Sequence, residues 1–156
     1  METSNTLEFK SIDYLIIGSA ALLILLSWVY TGIEYSSLPD TIPTHFNAKG
    51  EADGYNGKST LWIVCGIFTV LTIGIFYLAK TPRLHNVQLK TKTANFRSIA
   101  VLMPLIGAIQ AIAVYTTIQS SKGDFEYSGW VLPIILSLTA TFLILMLTIN
   151  YKNKKA

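Results

Sequence analysis

Four long stretches of this chain carry no charged residue, and polar segments of differing character separate them. They run from Tyr14 to Ile33, Ser59 to Ala79, Ser98 to Ser121 and Tyr127 to Tyr151, which is 20, 21, 24 and 25 residues. An α-helix rises 1.5 Å per residue, so about 20 residues cross the roughly 30 Å hydrocarbon core of a bilayer. Each stretch is apolar on every side, not along one stripe, which argues against a soluble amphipathic bundle. The pattern predicts an all-α integral membrane protein, a four-helix transmembrane bundle. A single membrane domain over 1–156 would hold helices at about 14–33, 59–79, 98–121 and 127–151, an outer loop at 34–58 and a basic inner loop at 80–97.

The first polar segment stands out. Glu34 to Lys58 covers 25 residues, and connections longer than about 12–15 residues are usually functional or disordered. Its pattern predicts order. "TIPTHF" alternates Ile42, Thr44 and Phe46 with Pro43 and His45, and Pro39 and Pro43 push the residues before them into extended geometry. A short β or polyproline-like stretch follows. "NAKG" reads as a turn, and the Asp53-Gly54 and Asn56-Gly57 pairs read as two further tight turns. Ile42, Phe46 and Tyr55 would cluster over the helix ends, with Phe46 and Tyr55 resting on Trp28 and Trp62. The segment would be a compact cap with His45 and Asn47 turned into it.

Composition fits a membrane class: 51% of residues are hydrophobic and 13% charged, against about 25% charged in ordinary soluble domains. Charge also sets the orientation. With a cytoplasmic N-terminus, nine Lys/Arg lie inside (Lys10, Lys80, Arg83, Lys90, Lys92, Arg97, Lys152, Lys154, Lys155) and three outside (Lys49, Lys58, Lys122). The positive-inside rule then places both termini in the cytoplasm and the 34–58 loop outside. The basic inner face suits anionic lipid headgroups and not nucleic acid. The expected location is the bacterial inner membrane, multi-pass. Glu2, Glu8 and Asp13 precede the first span and no small-x-small site follows it, so it reads as a helix and not as a cleaved leader. Trp28, Trp62 and Trp130 would mark the outer interface with Tyr30, Tyr35 and Tyr127, and Tyr14, Tyr77 and Tyr151 the inner one. Cys65 is the single cysteine, so no intramolecular disulfide staples the loops.

Within these bounds no span holds Asp, Glu, Lys, Arg or His, which argues against a pump or an ion-coupled transporter. Gln110 is the most polar residue at mid-span, with a hydrogen bond to a neighbouring helix as its expected structural role and ligand recognition as the alternative. Gly107 and Ala111 form a small-residue notch for a helix of this bundle or of a partner, as do Gly66 and Gly74. Pro104 and Pro133 remove backbone donors in the third and fourth helices and predict kinks there.

The segment "LPDTIPTHFNAKGEADGYNGK" resembles the bacterial membrane family known as domain of unknown function 1648. Leu38, Pro39, Ile42, Pro43, His45, Phe46, Asn47, Gly50, Asp53, Gly54 and Lys58 carry the resemblance, which covers roughly 14–79. That family includes the N-terminal half of SdpI-like immunity proteins, which protect a bacterium from a secreted killing peptide. Those proteins carry a further Gly-Ile-Arg-Thr-Pro stretch that does not occur here. The resemblance implies a non-enzymatic membrane protein whose outer cap binds a ligand, with His45, Phe46, Asn47, Gly50, Asp53 and Lys58 as the binding candidates. A membrane-active peptide or another membrane protein would be the partner beside the lipid bilayer.

The chain has two histidines, His45 and His85, which the predicted topology puts on opposite sides of the membrane. No H-E-x-x-H, G-x-S-x-G or Walker loop occurs, and no cofactor is expected. The one metal alternative is zinc at His45 with Asp40, Glu51, Asp53, Asp124 or Glu126, since imidazole and carboxylates suit that ion. That set would make the protein a metal-assisted hydrolase at the outer surface. Lys58 has a bland role available as well, snorkelling to headgroups.

Overall fold

The computed structural model describes residues 7–47, 49–81, 89, 91–123 and 131–153. Helix α1 spans Ser11–Glu34 and ends in a 3₁₀ turn, Tyr35–Ser37. Strands β1 (Thr41–Phe46) and β2 (Ala52–Gly57) follow, then α2 (Thr60–Lys80), α3 (Lys92–Ala100), α4 (Leu102–Lys122) and α5 (Val131–Asn153). Four helical segments are long and apolar enough to cross a membrane: Ser11–Ser37, Thr60–Lys80, Lys92–Lys122 and Val131–Asn153. The four-span helical architecture is therefore the one the charge-free stretches predict.

The third span departs from its expected bounds. It begins at Lys92, so 92–97 of the expected inner loop is helical. Thr91 caps it, its hydroxyl accepting from the Ala94 amide at 3.1 Å. Val101 separates α3 from α4, and Pro104 lies three residues on with no N–H to give the Ala100 carbonyl. Pro104 and Pro133 each occupy the third position of a helix, where backbone donors lack intrahelical partners in any case. α3 and α4 meet at Val101, whose backbone stays in the right-handed helical region and whose N–H bonds the Arg97 carbonyl at 3.2 Å, and Pro133 sits at the start of α5.

α1 likewise begins earlier than its charge-free run, and this brings Asp13 into it. Asp13 is fully buried. Arg97 of α3 grips it in bidentate fashion, Nε to Oδ1 at 2.7 Å and Nη2 to Oδ2 at 2.8 Å. Oδ2 also accepts from the Lys10 backbone N–H at 2.8 Å, and so closes the helix N-terminus. The expectation that no ionised residue falls within a span is corrected here: the pair satisfies charge by charge, so a buried carboxylate is tolerated.

α1 and α4 run in the same direction. Asp13–Arg97 ties them near one end through α3, and Glu34–Lys122 ties them at the other. Between, Gly107 allows close approach: a Cβ there would lie 3.1 Å from Leu23 Cβ and 3.3 Å from the Ala20 carbonyl. The notch is filled by α1 of the same chain. Among the described residues, Gly66 and Gly74 have nothing within 4 Å of such a Cβ.

Two apolar clusters hold the bundle. One joins Ala20, Ala79, Phe96, Ile99, Ala100 and Met103, with Phe9 stacked edge-on to Phe96 at 5.0 Å. The other lies under the hairpin and joins Leu38, Ile42, Leu61, Cys65, Val114 and Ile118. Cys65 is buried, with Thr31 Oγ1 3.6 Å from its sulfur. Trp28, Trp62 and Tyr35 stack in series, 5.6 and 5.4 Å between centroids. Trp130 and Tyr127 of the expected belt lie outside the described residues. α5 packs along α3 and α4 and buries none of its residues completely.

Candidate functional site

The connection between α1 and α2 folds as an antiparallel β-hairpin. Its alternating β1 pattern is only partly regular, because the register shifts around His45. Ile42 and Pro43 are both buried, and Ile42 anchors the hairpin in the cluster shared by α2 and α4. β1 packs on α4, so β2 is the far edge of the sheet.

Asn47 organises the turn. Its side-chain oxygen accepts from the Lys49 and Glu51 amides at 2.8 and 3.1 Å, and its Nδ2 donates to Glu51 Oε2 at 2.9 Å. Its backbone N–H donates to the Glu51 carbonyl at 2.9 Å, and its carbonyl accepts from Gly50 at 2.8 Å. Gly50 holds φ 86°, a left-handed geometry that costs a side-chain-bearing residue about 1–2 kcal/mol. Asn47, Lys49 and Gly50 thus make the turn that the composition of this stretch predicts.

The two X-Gly pairs are not turns. Asp53, Gly54, Asn56 and Gly57 all lie in β2. Gly54 faces His45 across the ladder, and a Cβ there would be 2.9 Å from His45 Cβ. Gly54 therefore serves a close cross-strand approach and not a chain reversal. The polar residues of β2 reach back to β1: Asp53 Oδ1 lies 2.5 Å from His45 Nδ1, and Asn56 Nδ2 donates to Thr44 Oγ1 at 2.8 Å.

His45 points outward. Its side chain is 72% exposed, contrary to the inward orientation expected from the sequence, because the shifted register turns it off the packed face. Tyr55 is exposed as well and Phe46 half-buried. Tyr35 occupies the Trp62 surface expected for Phe46 and Tyr55, and Ile42 and Pro43 supply the anchoring burial instead. Lys58 is committed to the fold. Its ammonium donates to the Leu38 carbonyl at 3.2 Å, pairs with Asp40 at 3.2 Å and sits 5.3 Å over the Tyr35 ring. It pins the base of the hairpin.

Among the described residues the expected zinc ligands do not come together. Asp53 touches His45, whereas Asp40 pairs with Lys58. Among the described residues no three His, Cys, Asp or Glu side chains gather. Asp124, Glu126 and His85 lie outside the described residues. Gln110 is completely buried on α4, and neither polar atom of its amide has a partner among the described residues. The expected interhelical hydrogen bond is absent there.

What the hairpin does form is a cleft of about 620 Å³ against the end of α4. Ligand pockets typically measure about 300–1,000 Å³. Thr41, Pro43, Phe46, Tyr55, Lys49 and Glu51 line it from the hairpin, and Ser120 and Ser121 from α4. The Ser120 hydroxyl oxygen is enclosed and lacks a partner among the described residues. Of the six binding candidates, Phe46 and Gly50 line this cleft, while His45, Asn47, Asp53 and Lys58 build the hairpin around it. Ser120 and Ser121 were not foreseen, since they sit at the end of a span and only the fold brings them under the hairpin. A second cavity of about 100 Å³ separates the opposite face of β1 from α2 and α4.

Comparison with known proteins agrees with the motif. An uncharacterized protein of Archaeoglobus fulgidus is 37% identical over 59 residues, covering 38% of this chain. The match spans 32% of that relative's length. No solved structure matches the chain. Residues 22–69, from within α1 through the hairpin into α2, match the family model described as Domain of unknown function (DUF1648).

Proposed function

We propose that the hairpin is an outward-facing recognition cap on a multi-pass membrane protein, and that its cleft binds a ligand arriving at the membrane surface. The role the motif supports is sensing of, or SdpI-like immunity to, a membrane-active peptide. The observation that carries this reading is the cleft between the hairpin and α4, of ligand-pocket size and lined in part by Phe46 and Tyr55. Its lining sets these two rings beside Thr41, Lys49, Glu51, Ser120 and Ser121, a mainly polar surface that suits a ligand with both polar and apolar parts. The outward orientation rests on the asymmetry of Lys and Arg. Expression in a sensitive cell followed by challenge with such peptides tests the proposal. Protection, with binding to the reconstituted protein, is expected. Absence of both would contradict it.

The His45–Asp53 pair favours a second reading, metal-assisted hydrolysis. A carboxylate on one ring nitrogen orients the other for a metal or a proton. Stoichiometric zinc in the purified protein, and its loss in His45→Ala, would support that alternative. A zinc-free protein unaffected by His45→Ala would remove it.

A further inference from the structure

The outer edge of β2 is an open backbone template. The Lys58 amide donates to the Asp40 carbonyl at 2.9 Å. Antiparallel pairing alternates residues that bond the partner strand with residues whose N–H and C=O point away. Counting back from Lys58, Asn56 bonds toward β1, while Tyr55 and Gly57 point their backbone groups away from it. Pro43 stands opposite Tyr55 and has no N–H to offer, which fits this phase. No described strand pairs with that outer edge.

Native proteins protect such edges with lysine, proline or a covering element. Among the described residues β2 has none of these: its sequence is ADGYNG, and Asp53, Tyr55, Asn56 and Gly57 are exposed. Asp53 and Asn56, which could clutter the edge, instead bond across to His45 and Thr44. The cleft opens on the same strand, since Ala52 and Tyr55 belong to its lining.

We propose that the ligand of the cap is an extended peptide that adds to β2 as a third antiparallel or parallel strand, its main chain bonded to Tyr55 and Gly57 and its alternate side chains entering the cleft. The proposal rests on the reading of the hairpin as a binding cap. Strand addition draws affinity from backbone bonds and specificity from pockets for alternate side chains, and both parts are present. A second copy of the chain fits less well. Its own β2 would offer mainly Ala, Gly and short polar side chains, which cannot fill about 620 Å³.

The test uses the full chain in lipid nanodiscs and a mixed library of octapeptides with alternating apolar and polar residues. Bound peptides are identified and titrated against wild type, Tyr55→Ala and Tyr55→Pro. Both variants lose the ring, but only proline removes the outward N–H, and proline is tolerated at an edge position. Tyr55→Ala should keep binding within several-fold. Tyr55→Pro should lose at least tenfold more. Amide exchange at Tyr55 and Gly57 should slow when peptide binds, and this readout reports on the fold of the wild type alone. Equal binding by the two variants, with no slowing, would leave the cap reading intact and overturn strand addition. No peptide bound by wild type would overturn both. Self-association abolished by Tyr55→Pro in the absence of peptide would assign the edge to a second copy, against the proposal.

Discussion

Glycine has three distinct uses in the hairpin and the α1–α4 contact. Gly50 supplies a positive φ, Gly54 a missing Cβ beneath His45, and Gly107 a close helix approach. Replacing Gly54 by alanine forces a 2.9 Å contact against His45 Cβ. Overpacking of this kind costs about 1–3 kcal/mol, so Gly54→Ala should expose the hairpin to protease while the spans stay resistant. An unchanged digestion pattern would refute the close approach. The sequence motif marked Gly54 as special but suggested the wrong reason, since Asp-Gly favours turns locally and only cross-strand pairing reveals the clash. Gln110 is a second residue-scale case. A buried unpaired polar group costs about 1–3 kcal/mol, so Gln110→Met should raise stability toward denaturing detergent by a similar amount. A loss instead would mean that the amide has a partner in the membrane.

At the scale of elements, the spans were legible because a bilayer demands length and apolarity, which are read directly from composition. Their ends were not. Absence of charge fixed the expected bounds at Tyr14 and Ser98, and the pair of buried Asp13 with partly exposed Arg97 lies just beyond both. Two opposite charges that are 84 residues apart cannot be paired by inspection of either run. Arg97 is partly exposed whereas Asp13 is fully buried, so losing this partner costs less than a fully buried pair would, on the order of 1–3 kcal/mol. Arg97→Ala should therefore destabilise the bundle by that order in detergent unfolding, and restoring neutrality with Asp13→Asn in the same chain should recover part of the loss. Equal stability of wild type and Arg97→Ala would show that Asp13 is not buried in the bilayer-embedded protein. The hairpin was half legible at this scale: the extended stretch and the "NAKG" turn followed from local propensity. The register shift that turns His45 outward depends on pairing with β2.

For the whole molecule, α1 and α4 form a parallel spine tied by ion pairs towards both ends, and the hairpin sits at the Glu34–Lys122 end, pinned by Ile42 and Lys58. The cleft exists only because that end of α4 lies beneath the hairpin, so no stretch of sequence could disclose it. The central claim is that residues 38–58 are a folded cap on a membrane bundle. Amide hydrogen exchange of the full chain reconstituted in bilayers measures this most directly. The account predicts slow exchange at Asn47, Asn56 and Lys58, whose N–H groups are bonded within the hairpin, beside fast exchange at Tyr55 and Gly57 in the absence of ligand. Uniformly fast exchange from Thr41 to Lys58 would contradict it and make the segment an unstructured linker.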